Sequence, residues 1–197
     1  MRFLSHTHIN GNGRQYRDEY ACILARAAKT RKYTHVAVGC HGDYIASSDT
    51  LNCVWNFGIV PVRFAELDVR VDVNGKTHKA HISALNIPNH PIEGYKHNPK
   101  DPVHIKEVVR YLRSVGARII LNHPKSLDAI ACFIPYIDGY EIKNGAHVID
   151  FKGENPCQYW PSLIQFTGAD YHVWKGKGNL DYFTELPDEW LGRKVYK

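Results

Sequence analysis

One recurring pattern restricts the fold of this chain more than any other. An apolar, β-branched run ends abruptly on a residue of metal-ligand type beside glycine or proline. It occurs at Thr34-His35-Val36-Ala37-Val38-Gly39-Cys40-His41-Gly42-Asp43 and at Ala117-Arg118-Ile119-Ile120-Leu121-Asn122-His123-Pro124. It returns at Gly139-Tyr140-Glu141-Ile142-Lys143-Asn144-Gly145 and at Phe166-Thr167-Gly168-Ala169-Asp170-Tyr171-His172. Apolar residues at helical spacing occupy the intervals, predicting helices from about Gln15 to Lys29 and over about 44–56, 102–115, 126–135 and 159–165. Strands alternating with helices predict an α/β architecture with a mainly parallel sheet. The strand candidates lie near 2–6, 34–40, 60–72, 78–87, 118–122, 138–142 and 166–170. A full eight-unit barrel takes about 250 residues. With 197 residues, a small or distorted barrel is the expectation, with function at the C-terminal ends of its strands.

The first ligand-type residues arrive almost at once, in Ser5-His6-Thr7-His8. If residues 2–8 form one strand, side chains two apart share a face, and His6 and His8 can hold one ion together. Further on, Asn74-Gly75 separates two alternating runs, which is the signal for a hairpin with a two-residue type I′ turn. Pairing Val73 with Lys76 sets Asp68 opposite His81 and makes Glu66 a diagonal neighbour of His81, about 7–8 Å away. A slip of one residue would separate them. The ligand-type residues at these positions are then His6, His8, His41, Glu66, His81, His123, Glu141, Asp170 and His172. A catalytic zinc takes three protein ligands and a water, so this surplus implies two or three ions with a carboxylate such as Glu66 between them. Mixed imidazole and carboxylate ligands suit zinc, manganese or iron better than magnesium or calcium. Ions about 3.5–4 Å apart activate a water and clamp a phosphoryl oxygen. Phosphoester hydrolysis rewards this most, because its transition state spreads negative charge over oxygens.

In this order the motifs resemble those of the PHP (polymerase and histidinol phosphatase) family. The matching segments are Ser5-His6-Thr7-His8, Val38-Gly39-Cys40-His41, Phe64-Ala65-Glu66, Ala80-His81-Ile82, Leu121-Asn122-His123-Pro124, Tyr140-Glu141-Ile142-Lys143-Asn144 and Ala169-Asp170-Tyr171-His172. The resemblance implies a distorted (β/α)7 barrel with a trinuclear centre. It implies that His6, His8, Glu66 and Asp170 share one ion and that Glu66, His81 and His123 hold a second. His41 and His172 would contribute to a third. It further implies a phosphoesterase whose nucleophile is a metal-activated water supported by His123 and Asp170, with Glu141 and Cys40 behind the ligands. The chain departs from the family pattern at Gly13 and Arg14, where members carry Asp or His, and at Gly39-Cys40, where they carry Thr-Asp. The third ion is therefore expected to draw on Asn10, Asn12 or Cys40, or to be absent.

A phosphoesterase also needs cations for the non-reacting oxygens, and Arg14, Lys125 and Lys175 stand near the motifs. The preferred substrate is a small phosphomonoester, a nucleotide or metabolite phosphate. The alternatives are an exonuclease on oligonucleotide ends, with Tyr95, Tyr159, Trp160 and Trp174 stacking bases, and a catalytically weakened metal- or nucleotide-binding module. The net charge of +5 is scattered rather than clustered. Five cysteines without a C-x-x-C spacing disfavour a disulfide framework and a cysteine zinc finger and fit a reducing, cytoplasmic setting. No apolar run is long enough to span a membrane, and His6 and His8 interrupt the place where a signal-peptide core would lie. Residues 1–175 are expected to form the barrel and 176–197 a tail packing on or near it. His35, His78, His90, His97, His104 and His147 read as strand, loop or surface histidines.

Overall fold

The structure, a computed structural model, describes residues 1–9, 18–42 and 45–191. Its strands are β1 (Arg2–Leu4), β2 (Thr7–His8), β3 (His35–His41), β4 (Val60–Val73), β5 (Lys76–Leu85) and β6 (Val103–His104). They continue with β7 (Arg118–Asn122), β8 (Gly139–Asn144), β9 (Ile164–Gly168), β10 (Tyr171–His172) and β11 (Thr184–Glu185). The helices are α1 (Asp18–Thr30), α2 (Ser48–Trp55), α3 (Ile105–Ser114) and α4 (Leu127–Phe133). Each of the seven runs expected to be strands contains one, and the sheet curls into a nearly closed barrel in the order β10-β2-β3-β4-β5-β7-β8-β9. Short segments draw the two edges together. Tyr171 and His172 pair with Thr7 and His8, Ser5 O accepts the N–H of Ala169 at 3.3 Å, and β11 lies antiparallel on β1.

Strand parity explains both the core and the site. Val62 and Phe64 of β4 face the lumen, where Phe3, Ala37, Leu85, Ile120 and Phe166 join them. The alternate residues Ala65, Leu67 and Val69 pack outward with Ile105, Val108 and Leu112 of α3 and Phe133 of α4. Covered on both faces, the strand is buried from Pro61 to Val69 and apolar there except at Arg63, Glu66 and Asp68. On α1, Ala21, Leu24, Ala25 and Ala28 recur at helical spacing and are buried, packing on Val36 and Val38 of β3. Ser47 and Ser126 cap α2 and α4 by accepting the N–H of Thr50 at 3.1 Å and of Ala129 at 3.2 Å. At the bottom of the barrel, Leu186 and Leu191 enter the lumen cluster, and Trp190 packs on Phe166 at 5.3 Å between ring centroids.

The lumen-facing positions change character along the strands. Ala37 gives way to Gly39 and His41, Phe64 to Glu66 and Asp68, and Ile120 to Asn122. The strand β5 runs antiparallel to both neighbours, so its sequence reads the other way, from His81 at the polar end to Leu85 at the apolar floor.

The structure differs from the sequence reading at three places. The first strand is not continuous over 2–8, because His6 takes a φ of 56° and separates β1 from β2. The sheet is mainly parallel, with β5 antiparallel to both neighbours as the expected Asn74-Gly75 hairpin requires. The expected helix over 159–165 is absent: a 3-10 turn at Pro156–Gln158 leads into β9, and Pro161 opposes helix there by removing a donor and constraining Trp160. Seven β/α repeats are not seen among the described residues, which contain four α-helices, although the part of the first expected helix before Asp18 lies outside them. No helix among the described residues is long and apolar enough to cross a membrane.

Candidate metal centre

The polar end of the lumen is organised by one buried carboxylate. Glu66 Oε1 lies 3.2 Å from His6 Nε2, 3.2 Å from His81 Nδ1 and 3.4 Å from His123 Nε2. Its Oε2 lies 2.8 Å from His41 Nδ1 and 3.4 Å from His8 Nε2. The hairpin delivers His81 to this place, because Asp68 pairs with His81 and Val73 with Lys76. Asn74 and Gly75 both have positive φ, 50° and 75°, as the type I′ turn requires.

Asp170 is the second hub. Its Oδ1 is 3.6 Å from His6 Nε2, 3.4 Å from His8 Nε2 and 3.5 Å from His172 Nδ1. The ring of His8 stacks on those of His41 and His172, each with centroids 4.3 Å apart. All eight residues expected as ligands (His6, His8, His41, Glu66, His81, His123, Asp170 and His172) therefore meet at one end of the barrel. Compact ligand triads form from His6, His8 and Asp170, from His6, Glu66 and His123, from His41, Glu66 and His81, and from His8, His41 and His172. The first matches the grouping the resemblance implies. His81 and His123 both reach Glu66 but fall into different triads.

Buried carboxylates behind the ligands fix two of the imidazoles. Glu141 Oε1 sits 2.7 Å from His6 Nδ1, while its Oε2 accepts the backbone N–H of His123 at 2.7 Å and a side-chain N–H of Asn144 at 2.9 Å. Gly168 packs against this carboxylate so closely that a Cβ would collide with Oε1. Asp68 does for His81 what Glu141 does for His6, with Oδ1 3.0 Å from His81 Nε2. Its Oδ2 lies 3.0 Å from Nδ1 of His97. Such carboxylate–histidine pairs set the ring orientation and tautomer of metal ligands. Cys40, also expected behind the ligands, is buried, but it has the outward parity of Val36 and Val38 and enters none of the ligand triads among the described residues.

The donor set fits metal ions. His6 Nε2, both ring nitrogens of His8, His81 Nδ1, Glu66 Oε2 and Asp170 Oδ2 are buried without a well-formed hydrogen bond, although Glu66 Oε2 lies 2.8 Å from His41 Nδ1 and the residues lie 3.2–3.6 Å from one another. Buried polar atoms are otherwise satisfied nearly always. Imidazole and carboxylate atoms facing a common point are what a divalent transition ion takes. Backbone geometry agrees, since His6, His123 and Asp170 have φ of 56°, 30° and 44°. Left-handed conformations in non-glycine residues cost free energy and collect at functional sites. His123 in particular escapes the extended geometry expected of a residue before proline.

The ionisation states reflect this crowding. Burial alone would depress His6, but the charges of Glu66, Glu141 and Asp170 outweigh it and hold the ring well above its ordinary value. Burial dominates for His8, which falls to about 3. Burial would likewise lower His81, yet hydrogen bonds to Asp68 and Glu66 raise it to about 10. Burial pushes Glu66 upward and is overcome by His6 and His41, so its carboxyl stays well below the usual range. Asp170 is lowered against its burial by His6 and His8.

Beside the cluster opens a cavity of about 370 Å³, lined by Asp68, His81, Asn122, His123, His147, Lys79 and Lys125 with prolines and apolar residues around them. Of the expected phosphate-binding residues, Lys125 lines it. Lys175 does not, and its ammonium lies 4.5 Å from the centroid of the Trp174 ring. Arg14, like Asn10 and Asn12, lies outside the described residues. None of Tyr95, Tyr159, Trp160 and Trp174 lines the cavity; Tyr95 is buried, its hydroxyl accepting the N–H of Asp68 at 3.2 Å. Sequence reasoning missed three residues. His97 is no surface residue, its side chain being 9% exposed against Asp68, and His147 reaches the cluster, with Nε2 3.5 Å from Asp170 Oδ2. Asp68 was placed opposite His81 by the register and given no role, though two aspartates and a glutamate alternating along one strand face are a usable signal.

No family model matches the chain, and no curated protein is similar to it in sequence at a significant level. Solved structures share its fold. An amidohydrolase from Chromobacterium violaceum, solved with bound sulfate and no metal, aligns over 98% of this chain and 94% of its own, with TM-score 0.61 and 14% identity. A candidate metal-dependent phosphoesterase from Bifidobacterium adolescentis aligns over 93% of this chain and 92% of its own, with TM-score 0.57 and 11% identity.

Proposed function

We propose that this protein is a metal-dependent phosphoesterase that hydrolyses a small phosphomonoester, a nucleotide or metabolite phosphate. The observation that carries the reading is the set of partnerless ligand atoms around Glu66 and Asp170, beside a cavity that His81 and His123 line together with Lys79 and Lys125. Two or three divalent ions of zinc, manganese or iron held there would supply an activated water and charge stabilisation at the phosphoryl oxygens. His6, His8, Glu66 and Asp170 would hold one of them and Glu66, His81 and His123 another. Glu141 and Asp68 keep the imidazoles of His6 and His81 turned toward the centre. Lys125 and Lys79 would take the non-reacting oxygens of the ester, as preorganised cations do for developing charge. None of the cavity-lining residues is Ser, Thr or Cys, and the one carboxylate there, Asp68, is paired with His81 and His97, which supports water rather than a side chain as nucleophile.

Amide hydrolysis is the second reading, since one structural neighbour is an amidohydrolase. Two observations favour phosphate. The cavity wall carries two lysines, Lys79 and Lys125, against one carboxylate, Asp68, and sulfate, a tetrahedral dianion shaped like phosphate, is bound in that same neighbour. The volume of about 370 Å³ lies near the small end of ligand pockets, about 300–1,000 Å³, which supports a monomeric substrate over an oligonucleotide. The test is to load the protein with manganese or zinc and assay an aryl phosphate, a mononucleotide panel and an anilide. Turnover of a phosphomonoester that is lost in His123→Ala is expected. Equal inactivity of the loaded protein and this variant would overturn the catalytic reading. Anilide turnover alone would make the protein an amidase, and oligonucleotide turnover with a steep salt dependence would make it a nuclease.

A further inference from the structure

The two oxygens of Asp170 have different neighbours. Oδ1 faces His6, His8 and His172, whereas Oδ2 is buried without a hydrogen-bond partner and lies 3.5 Å from Nε2 of His147. That separation is too long for a hydrogen bond. It matches two ligands of one ion, because bonds of about 2.0–2.2 Å in a tetrahedral site set ligand atoms about 3.3–3.6 Å apart. The ring of His147 also lies 4.4 Å from that of His123, centroid to centroid. One ligand atom from each of His123, His147 and Asp170 falls within 4.8 Å of the other two.

The His147 side chain is 54% exposed, but its backbone is tied down. Asn144 Oδ1 accepts the N–H of both Ala146 and His147 at 2.8 Å, while the amide of Asn144 donates to Glu141 Oε2 at 2.9 Å. The N–H of Gly145 reaches Gly168 O at 2.9 Å. The Glu141-x-x-Asn144 pair thus does two things: Glu141 braces His6 and His123, and Asn144 fixes the loop that carries His147.

We propose that His123, His147 and Asp170 hold a divalent transition-metal ion on the cavity side of the centre. This rests on the reading of the cluster as a metal centre and adds to it a ligand set apart from the His8, His41 and His172 triad. Since a neutral imidazole offers one lone pair to one ion, it takes His123 from the second ion and leaves that ion to Glu66 and His81. The distinction matters for chemistry. His123 and His147 line the cavity, whereas His8, His41 and His172 do not, so an ion at this position is the one that meets the substrate.

Cobalt(II) is the probe, titrated into metal-free wild type, His147→Ala and, as a control at the fully exposed neighbour, Val148→Ala. Calorimetry gives stoichiometry and affinity, and visible absorption reports the loss of an imidazole ligand. His147→Ala is expected to lose one equivalent, or to bind its weakest ion at least about 10-fold less tightly, with Val148→Ala matching wild type. Unchanged stoichiometry, affinities and spectrum in His147→Ala would overturn the inference while leaving the rest of the centre standing. A raised KM with unaltered cobalt binding would do the same and make His147 a substrate contact. If wild type itself takes up no cobalt, the reading of the whole centre as a metal site fails, and this inference with it.

Discussion

Asp68 stands between two imidazoles, 3.0 Å from each, at the wall of the cavity, and aims one of them, His81, at Glu66. In Asp68→Asn the shape is kept and the charge lost, so His81 is free to turn. Partners of this kind are worth about 10–100-fold in metal affinity, and a loss in that range is expected in competition with a chromophoric chelator. Unchanged affinity would reduce Asp68 to packing. The convergence of the eight expected residues was legible in the sequence because strand parity and register fix the place of a side chain. Asp68 was legible only as a register partner. His97 and His147 were not legible, since they come from loops whose course depends on the capping of Asn144 and on Tyr95 beneath Asp68, and neither leaves a periodic trace.

At the level of elements, the β4–β5 hairpin does most to assemble the site, because its register alone brings Glu66, Asp68 and His81 to one face. The turn residues fix that register. Gly75→Val puts a β-branched residue at a φ of 75°, and left-handed geometry costs an ordinary residue about 1–2 kcal/mol. Urea unfolding is expected to show a loss of that size, and a change under about 0.3 kcal/mol would mean that the turn tolerates other geometries. This hairpin was fully legible, since Asn-Gly between alternating runs has few other outcomes. Barrel closure was not. It depends on β10 and β11, two residues each, and on the bend at His6, all too short for a hydrophobic pattern to register. The false helix over 159–165 has a different cause, an apolar spacing that Pro161 overrides.

For the whole molecule, the charge balance makes stability depend on pH in opposite senses. Without metal, His81 titrates near about 10 in the folded protein against about 6.5 when unfolded. Its contribution is complete below about 6.5 and is lost as pH rises toward about 10. His6 acts in the same sense. His8, lowered to about 3, acts oppositely: below about 6.5 the unfolded chain takes up a proton that the folded one refuses, so stability falls as pH falls. The metal-free protein should therefore have its highest Tm near neutral pH and lose stability on both sides. Bound ions take the place of the protons on His6 and His81 and compete with them. The rise in Tm on adding zinc should accordingly be larger at pH 8.5 than at pH 6, by thermal scanning at fixed metal concentration. A rise independent of pH would mean that the ions bind away from these imidazoles.

The left-handed backbone at His6, His123 and Asp170 also bears on descent. Ordinary side chains are disfavoured at such positions, and glycine or asparagine would be more comfortable there. A benefit from the imidazole or carboxylate is what would offset that cost. In a lineage that abandoned the metal, these three sites should drift first, and toward glycine or asparagine, while the straighter positions of His41 and Glu66 linger. The order of loss among diverged relatives would then record whether an ancestor of each still used the ions.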